Sequence, residues 1–378
     1  MDLTWSPEEE AFRAEARAWL AAHVPREPLP SGDTREGFAA HLEWERALFE
    51  ARWAVVSWPG EYGGRDASVW QWLIFEEEYY RAGAPLRVTQ NGIFLLAPAL
   101  FEFGTPEQRR RILPRMAAAR DLWAQGWSEP DAGSDLAGLR SRAVRDAAAG
   151  GWRLTGQKTW TTRGAFCTHL FGLFRTDPRA ERHRGLTYFL VPLDAPGVTV
   201  RGFERLDGDE GFAEVFLDDV FVPDADVLGG VGQGWSVAMA TTGAERGLTL
   251  RSPGRYLDAA RRLLELARTR PGGPGPHRDR VAQSWMEAEA YRLFTLDQVT
   301  SAVEGRQAGA ESSLNKLYWS ELDIRLNETA MDLLGPEAEA DGPWSRGFLF
   351  SLAGPIYAGT NEIQRTIVAE RLLGLPRR

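Results

Sequence analysis

Residues Gly126 to Gly138 read GWSEPDAGSDLAG, and the organisation of the whole chain turns on this stretch. It sets Ser128, Ser134, Asp135 and backbone-freeing glycines around a turn at Pro130. Turn chemistry of this kind leaves backbone N–H groups pointing outward, able to hold an anion or the polar edge of a ligand. By itself the stretch reads equally well as a loop at a domain boundary. The period of the apolar residues changes across it.

Before the stretch the period is helical. Ser6-Pro7 followed by Glu8, Glu9 and Glu10 is a helix start, and Phe12, Ala16, Trp19 and Leu20 recur behind it. Trp58 to Gly64 reads as a loop. Further helices are expected over Val69 to Arg81, over Ile93 to Phe103, and from Gly104-Thr105-Pro106 to Arg120. After the stretch the period falls to two. Trp152/Leu154, His169 to Arg175, Gly185 to Leu193, Val198 to Val200 and Val215 to Val222 are short strand candidates separated by Gly, Pro or Asp. No helices alternate with them, which argues against a single parallel α/β sheet.

From Gly229 the chain is helical again. The glycines at 229, 230, 232 and 234 do not fit the spacing of a nucleotide loop and read as a connector. Long helices are expected near 235–269, 280–305, 311–334 and 361–373, the last with Asn361 as N-cap and Gln364 completing a capping box. The expectation is an N-terminal helical domain over 1–120, a central β-barrel-like domain over 121–228 and a C-terminal four-helix bundle over 229–378.

Composition narrows the function. The chain has 378 residues, 43% of them hydrophobic, enough for a large core. A net charge of −9 speaks against a nucleic-acid partner. The single Cys167 excludes an internal disulfide, and the 5 histidines show no metal-binding spacing. No apolar run of spanning length and no signal-like leader is present, so the expectation is a cytoplasmic protein without a membrane partner. Only Lys158 and Lys316 are lysines; nearly all positive charge is arginine. The strip Arg179, Arg182, His183 and Arg184 reads as a solvated loop.

Two further motifs accompany the first. Gly156 to Thr162 (GQKTWTT) places an indole and a hydroxyl two residues apart, hence on one face of a strand. Ile356 to Arg365 (IYAGTNEIQR) lies at a helix start. Together with WPGEYGG at 58–64, GTPEQ at 104–108, FLDDVFVP at 216–223 and the AERLLGLPRR tail, these motifs resemble the acyl-CoA dehydrogenase family, in its bacterial branch, over essentially the whole chain. The resemblance implies FAD as cofactor and an acyl-CoA thioester as substrate. It implies that Gln125, Trp127, Ser128, Gly133 and Ser134 line the flavin, that Trp160 packs on the isoalloxazine and Thr162 bonds near N5, and that Thr360 and Glu362 lie near the pyrophosphate and ribose. Ser134, Arg246, Ala358 and Gly359 would meet the substrate.

The base departs from the commoner family pattern. Removing the weakly acidic α-proton of a thioester calls for a carboxylate, while hydride leaves the β-carbon for flavin N5. Many family members carry that glutamate where this chain has Ala358. In other branches the glutamate directly precedes an arginine in the bundle, and Glu245-Arg246 stand there, so Glu245 is the expected base. The Ala358 backbone N–H would still hold the thioester oxygen. A second departure is the missing Phe-Gly pair of an element that reaches a neighbouring subunit's FAD; Arg270, or Arg268, occupies that region.

The reading is α,β-dehydrogenation of an acyl-CoA to the trans-2-enoyl-CoA, with an electron-transferring flavoprotein as acceptor and a homotetramer, homodimer or mixed assembly. Two other readings stay open. One is a flavin oxidase or monooxygenase on the same scaffold. The other is a non-catalytic subunit that completes a partner's FAD site.

Overall fold

The computed structural model describes residues 4–247, 252–305 and 309–376; the side chains of 243–247, 252 and 302 lie outside that description too. Helices α1 (Pro7–His23), α2 (Arg35–Glu50), α3 (Val69–Arg81), α4 (Ala97–Phe103) and α5 (Pro106–Ala117) come first. Strands β1 (Trp123–Gly126), β2 (Arg142–Asp146), β3 (Gly151–Thr162), β4 (His169–Arg175), β5 (Leu186–Pro192), β6 (Val198–Phe203), β7 (Phe212–Pro223) and β8 (Val227–Leu228) follow. Helices α6 (Gly234–Gly247), α7 (Ser252–Thr269), α8 (Arg278–Val303), α9 (Glu311–Leu334), α10 (Pro343–Ser351) and α11 (Asn361–Ile367) complete the order.

The helix starts follow from their caps. Ser6, Ser68 and Thr105 each accept a backbone N–H at the third helical residue, and Glu9, Gln71 and Gln108 reach back to close three capping boxes. The order helices, strands, helices is the expected one. Helices α2 and α10 were not expected, and α4 is preceded by a π-helical turn over Asn91–Leu96. The single helix expected over 235–269 corresponds to α6 and α7, with 248–251 outside the described residues. The capping box expected at Asn361 is not formed: Thr360 is the N-cap and accepts from Ile363 N–H, while Asn361 is buried.

The chain divides into two compact units, one of Arg26–Asp66 and Pro85–Glu245, the other of Met1–Pro25, Ala67–Ala84 and Arg246–Arg378. In the first unit all eight strands share one sheet, ordered β6-β7-β3-β2-β4-β5-β8 with β1 beside β4. Only β1–β4 and β2–β4 are parallel. Leu154, Leu170, Phe174, Phe189, Val191, Val215, Val220 and Val222 are fully buried in its core. In the second unit Tyr256, Leu263, Tyr291, Leu322 and Leu326 form the core of a bundle of α7, α8 and α9, and α3 packs on α7. Its apolar residues recur at three and four, the seam of packed helices.

Candidate flavin and thioester site

The loop after β1 is built around one carboxylate. Glu129 and Ala132 exchange backbone hydrogen bonds of 2.9 and 3.1 Å, closing the turn at Pro130. The Glu129 carboxylate accepts the N–H of Arg140 at 2.6 Å, the N–H of Ser141 at 2.9 Å and the Lys158 ammonium at 2.8 Å. Burial raises the pKa of this carboxyl, but Lys158 and the N–H donors outweigh it and hold Glu129 below the usual carboxylate range. Among the described residues the backbone N–H groups of Gly133, Ser134 and Asp135 donate no hydrogen bond, as the turn chemistry predicted. Asp135 is paired with Arg182. The arginine strip is therefore exposed, as expected, but anchored to the first motif through one member.

The second motif lies on β3 and is joined to the first, because Thr159 donates its N–H to the Ser128 carbonyl at 2.9 Å. The strict alternation used to place Trp160 and Thr162 on one face fails locally. Trp160 has φ +56°, and the β3–β7 register slips between Lys158 and Thr161, a β-bulge. The outcome survives the bulge: Trp160 is 60% exposed, Thr161 is fully buried and Thr162 is half-buried. Phe203 and Phe212 meet the Trp160 ring edge-on at 5.4 and 5.6 Å, propping the indole with much of its surface open. Arg163, also left-handed, reaches Asp33 at 2.6 Å, which Arg205 meets at the same distance.

In the second unit the third motif makes a tight turn. Ala358 and Gly359 are both left-handed, at φ +55° and +80°, and the buried Gln364 amide donates to their carbonyls at 3.2 and 3.4 Å. Among the described residues the Ala358 N–H donates no hydrogen bond. Lys316 on α9, 2% exposed, donates to the Asn361 carboxamide oxygen at 2.7 Å and fixes the start of α11. The exposed Glu362 carboxylate is held below its usual range by its own backbone N–H and by the Thr360 hydroxyl.

Glu245 and Arg246 fall on the last turn of α6, and their side chains lie outside the described residues. Arg270 is not gathered with the third motif. It bonds Glu337 at 2.7 Å and the Leu334 carbonyl, whereas Lys316 sits about 27 Å away along α9 at 1.5 Å per residue. Burial pushes the Cys167 thiol up to about 12, which makes it inert at neutral pH although part of the residue reaches the surface. Among the described residues no group of three or more His, Cys, Asp or Glu is placed to hold a metal, and no helix is long and apolar enough to cross a membrane.

Two things were not read from the sequence. One is the Glu129–Lys158 pair, although SEP and GQK each stood inside a quoted motif. The other is the Lys316–Asn361 bond, for which the rarity of lysine was the available signal.

A planar, aromatic cofactor with hydrogen-bonding edges and a charged tail fits these groups. Gln125, Ser128 and Thr162 are half-buried with no side-chain hydrogen bond among the described residues, Trp160 is largely exposed, and the Gly133, Ser134 and Asp135 amides have no protein acceptor among the described residues. Such groups, on a mixed sheet between two helical stretches of sequence, suit a bound flavin. Comparison with known proteins agrees. The acyl-CoA dehydrogenase N-terminal, middle and C-terminal domain families match residues 6–120, 124–220 and 232–373. Acyl-CoA dehydrogenase IpdE1 of Mycolicibacterium smegmatis is 41% identical, over 98% of each chain. Its namesake in Mycobacterium tuberculosis is 42% identical, over 97% of this chain and 98% of the other. Among solved structures, the Tcur3481-Tcur3483 steroid ACAD superposes with a TM-score of 0.87 at 28% identity, over 100% of both chains. The ChsE4-ChsE5 complex of Mycobacterium tuberculosis gives 0.85 at 29%, again over 100% of both. The chain belongs to the acyl-CoA dehydrogenase family. It is an FAD-dependent oxidoreductase.

Proposed function

We propose that the protein removes the α- and β-hydrogens of an acyl-CoA whose acyl group is bulky or ring-bearing, giving the trans-2-enoyl thioester. The observation that carries this is Ala358, small and left-handed, with its N–H making no hydrogen bond among the described residues. A carboxylate there would compete for the space beside the reacting carbons, whereas a methyl leaves it to the substrate. The Ala358 N–H donates to the thioester oxygen and stabilises the enolate-like charge that develops. Glu245 takes the α-proton, with Arg246 beside it in sequence. Bound FAD supplies the two-electron acceptor. Ser128, Gln125, Trp127, Gly133 and Ser134 would line its ring system, Trp160 and Thr162 would pack against and bond it, and Thr360 and Glu362 would lie near its phosphate–ribose part. The name of the Tcur3481-Tcur3483 steroid ACAD supports a ring-bearing acyl group, and an electron-transferring flavoprotein is the proposed reoxidant. The division at about residues 120 and 228 into three domains belongs to the same reading.

The test is anaerobic bleaching of the flavin by straight-chain, branched and ring-bearing acyl-CoAs, with wild type and Glu245→Gln side by side. Bleaching of wild type alone, strongest with the bulky thioesters, is the expected result. Equal bleaching of both places the base elsewhere, and bleaching by straight chains only overturns the substrate class.

A second reading concerns assembly. The names of two similar proteins, Tcur3481-Tcur3483 and the ChsE4-ChsE5 complex, each join two components, and this supports a mixed assembly in which a different family member completes one FAD site. Wild type that is colourless alone and yellow only when co-expressed with such a member would establish it.

A further inference from the structure

We infer that Glu129 and Lys158 are positioning residues, a buried ion pair that presets the Ser128 loop against the Trp160–Thr162 strand before the cofactor enters. The inference rests on the reading that Ser128, Trp160 and Thr162 meet the flavin.

Lys158 is fully buried on β3, one of two lysines in an arginine-rich chain. Its ammonium meets three acceptors on two other segments: Glu129 at 2.8 Å, the Leu173 carbonyl of β4 at 2.8 Å and the Trp127 carbonyl at 3.5 Å. The Phe174 ring centroid lies 4.8 Å from the charge. Glu129 extends the same knot to the far end of the loop through Arg140 N–H and Ser141 N–H. Both ends of the loop that holds Ser128, Gly133 and Ser134 therefore close on one carboxylate, and that carboxylate closes on the strand carrying Trp160.

A buried ion pair gives little net stability over well-packed apolar side chains, because desolvation offsets most of the attraction. What it supplies is one permitted geometry: a point charge with three acceptors accepts few displacements, and a carboxylate with three donors fewer still. Lysine suits this place where arginine would not, since a planar five-donor fork needs more room and more acceptors. Ser128 lies between Trp127 and Glu129, both held by the ammonium, and its carbonyl is further bound by Thr159.

The first unit offers a matched control, the buried pair Glu45–Arg87, with both side chains 1% exposed and 2.8 Å between them. Two double variants are compared with wild type: Glu129→Leu with Lys158→Met, and Glu45→Leu with Arg87→Met. Neither leaves an unpaired buried charge. Thermal midpoint, FAD dissociation constant and the visible flavin spectrum are measured for each. The expected result is FAD binding weakened about tenfold or more in the first double variant, by analogy with the loss seen when outer-shell partners of metal ligands are removed, with an altered flavin band. The control should bind FAD within about twofold of wild type, as independent sites do, whatever its midpoint. Equal FAD affinity in wild type and the first double variant overturns the inference, as does equal weakening in both. If the first double variant does not fold, Glu129→Gln replaces it. Faster amide exchange at Arg140 and Ser141 together with weaker FAD binding supports the pair, and unchanged FAD affinity overturns it. A wild type that takes up no FAD overturns the flavin reading itself, an outcome distinct from a wild type and variants that bind it alike.

Discussion

The side chain of Leu170 on β4 occupies the space a Cβ on Gly126 would need: such an atom would lie 2.6 Å from both Leu170 methyl carbons. The two residues belong to adjacent parallel strands, and Leu170 is fully buried. Gly126→Ala is therefore expected to cost about 1–3 kcal/mol by overpacking. Adding Leu170→Val should return part of that loss. A double-mutant cycle in urea midpoints measures the coupling, and additive losses would show that the strands simply shift apart.

The capping box at Thr105 and Gln108 supports the start of α5, with reciprocal bonds of 3.0 and 3.2 Å. Thr105→Ala should lower stability by about 1 kcal/mol, while Thr105→Ser should keep nearly all of it. Chemical denaturation of the two variants decides this.

Lys158 gives a pH prediction. Burial lowers its pKa from 10.5 to about 8 against the pull of Glu129. Between those two pH values the unfolded chain still holds the proton that the folded chain has released. This group's contribution to stability therefore rises from pH 8 towards 10.5 and is lost as pH falls through 8. Wild type should gain stability over that window relative to the Glu129→Leu, Lys158→Met double variant. Urea midpoints at stepped pH measure the difference, and parallel curves would contradict it.

Ala358 holds a left-handed conformation that costs an alanine about 1–2 kcal/mol. Glycine removes that cost but brings roughly 0.5–1 kcal/mol of extra freedom in the unfolded chain. Ala358→Gly should thus leave stability unchanged or slightly higher. Turnover should persist, because the N–H is retained. A large loss of turnover would show that the methyl itself orients the thioester.

Arg270 and Glu337 form an ion pair at 2.7 Å with Glu337 largely exposed. Such a pair contributes less than about 1 kcal/mol, so Arg270→Ala should barely move the thermal midpoint. If Arg270 serves a neighbouring subunit's cofactor, FAD affinity falls in this variant while the midpoint holds; titration with FAD distinguishes the two roles.

Much of this architecture is legible in the residues because its signals are local. The Ser-Pro and Thr-Pro helix starts, the change of apolar period near residue 121 and the Pro/Gly turns act over a few residues, and with the helical period of the apolar residues they located α1, α3, α5 and most strands. The features missed depend on distant partners. A β-bulge at Trp160 arises from pairing with β7, and period-two reasoning cannot see it. Asn361 reads as a cap until Lys316, 45 positions earlier, takes its carboxamide and leaves the capping to Thr360. Glu129 and Lys158 stood in separate motifs 29 positions apart, and only the sheet brings them to one point.

Both lysines of the chain are enclosed, at 0% and 2% exposure. Thioesters transfer their acyl groups to accessible amines without any catalyst, and a protein that works on such compounds is continually exposed to its own reactant. Here neither lysine amine is presented to solvent, and the guanidinium groups that carry the surface's positive charge are poor nucleophiles. Spontaneous self-acylation of lysine side chains is thereby closed off, and the ammonium that meets Glu129 is shielded from the thioester.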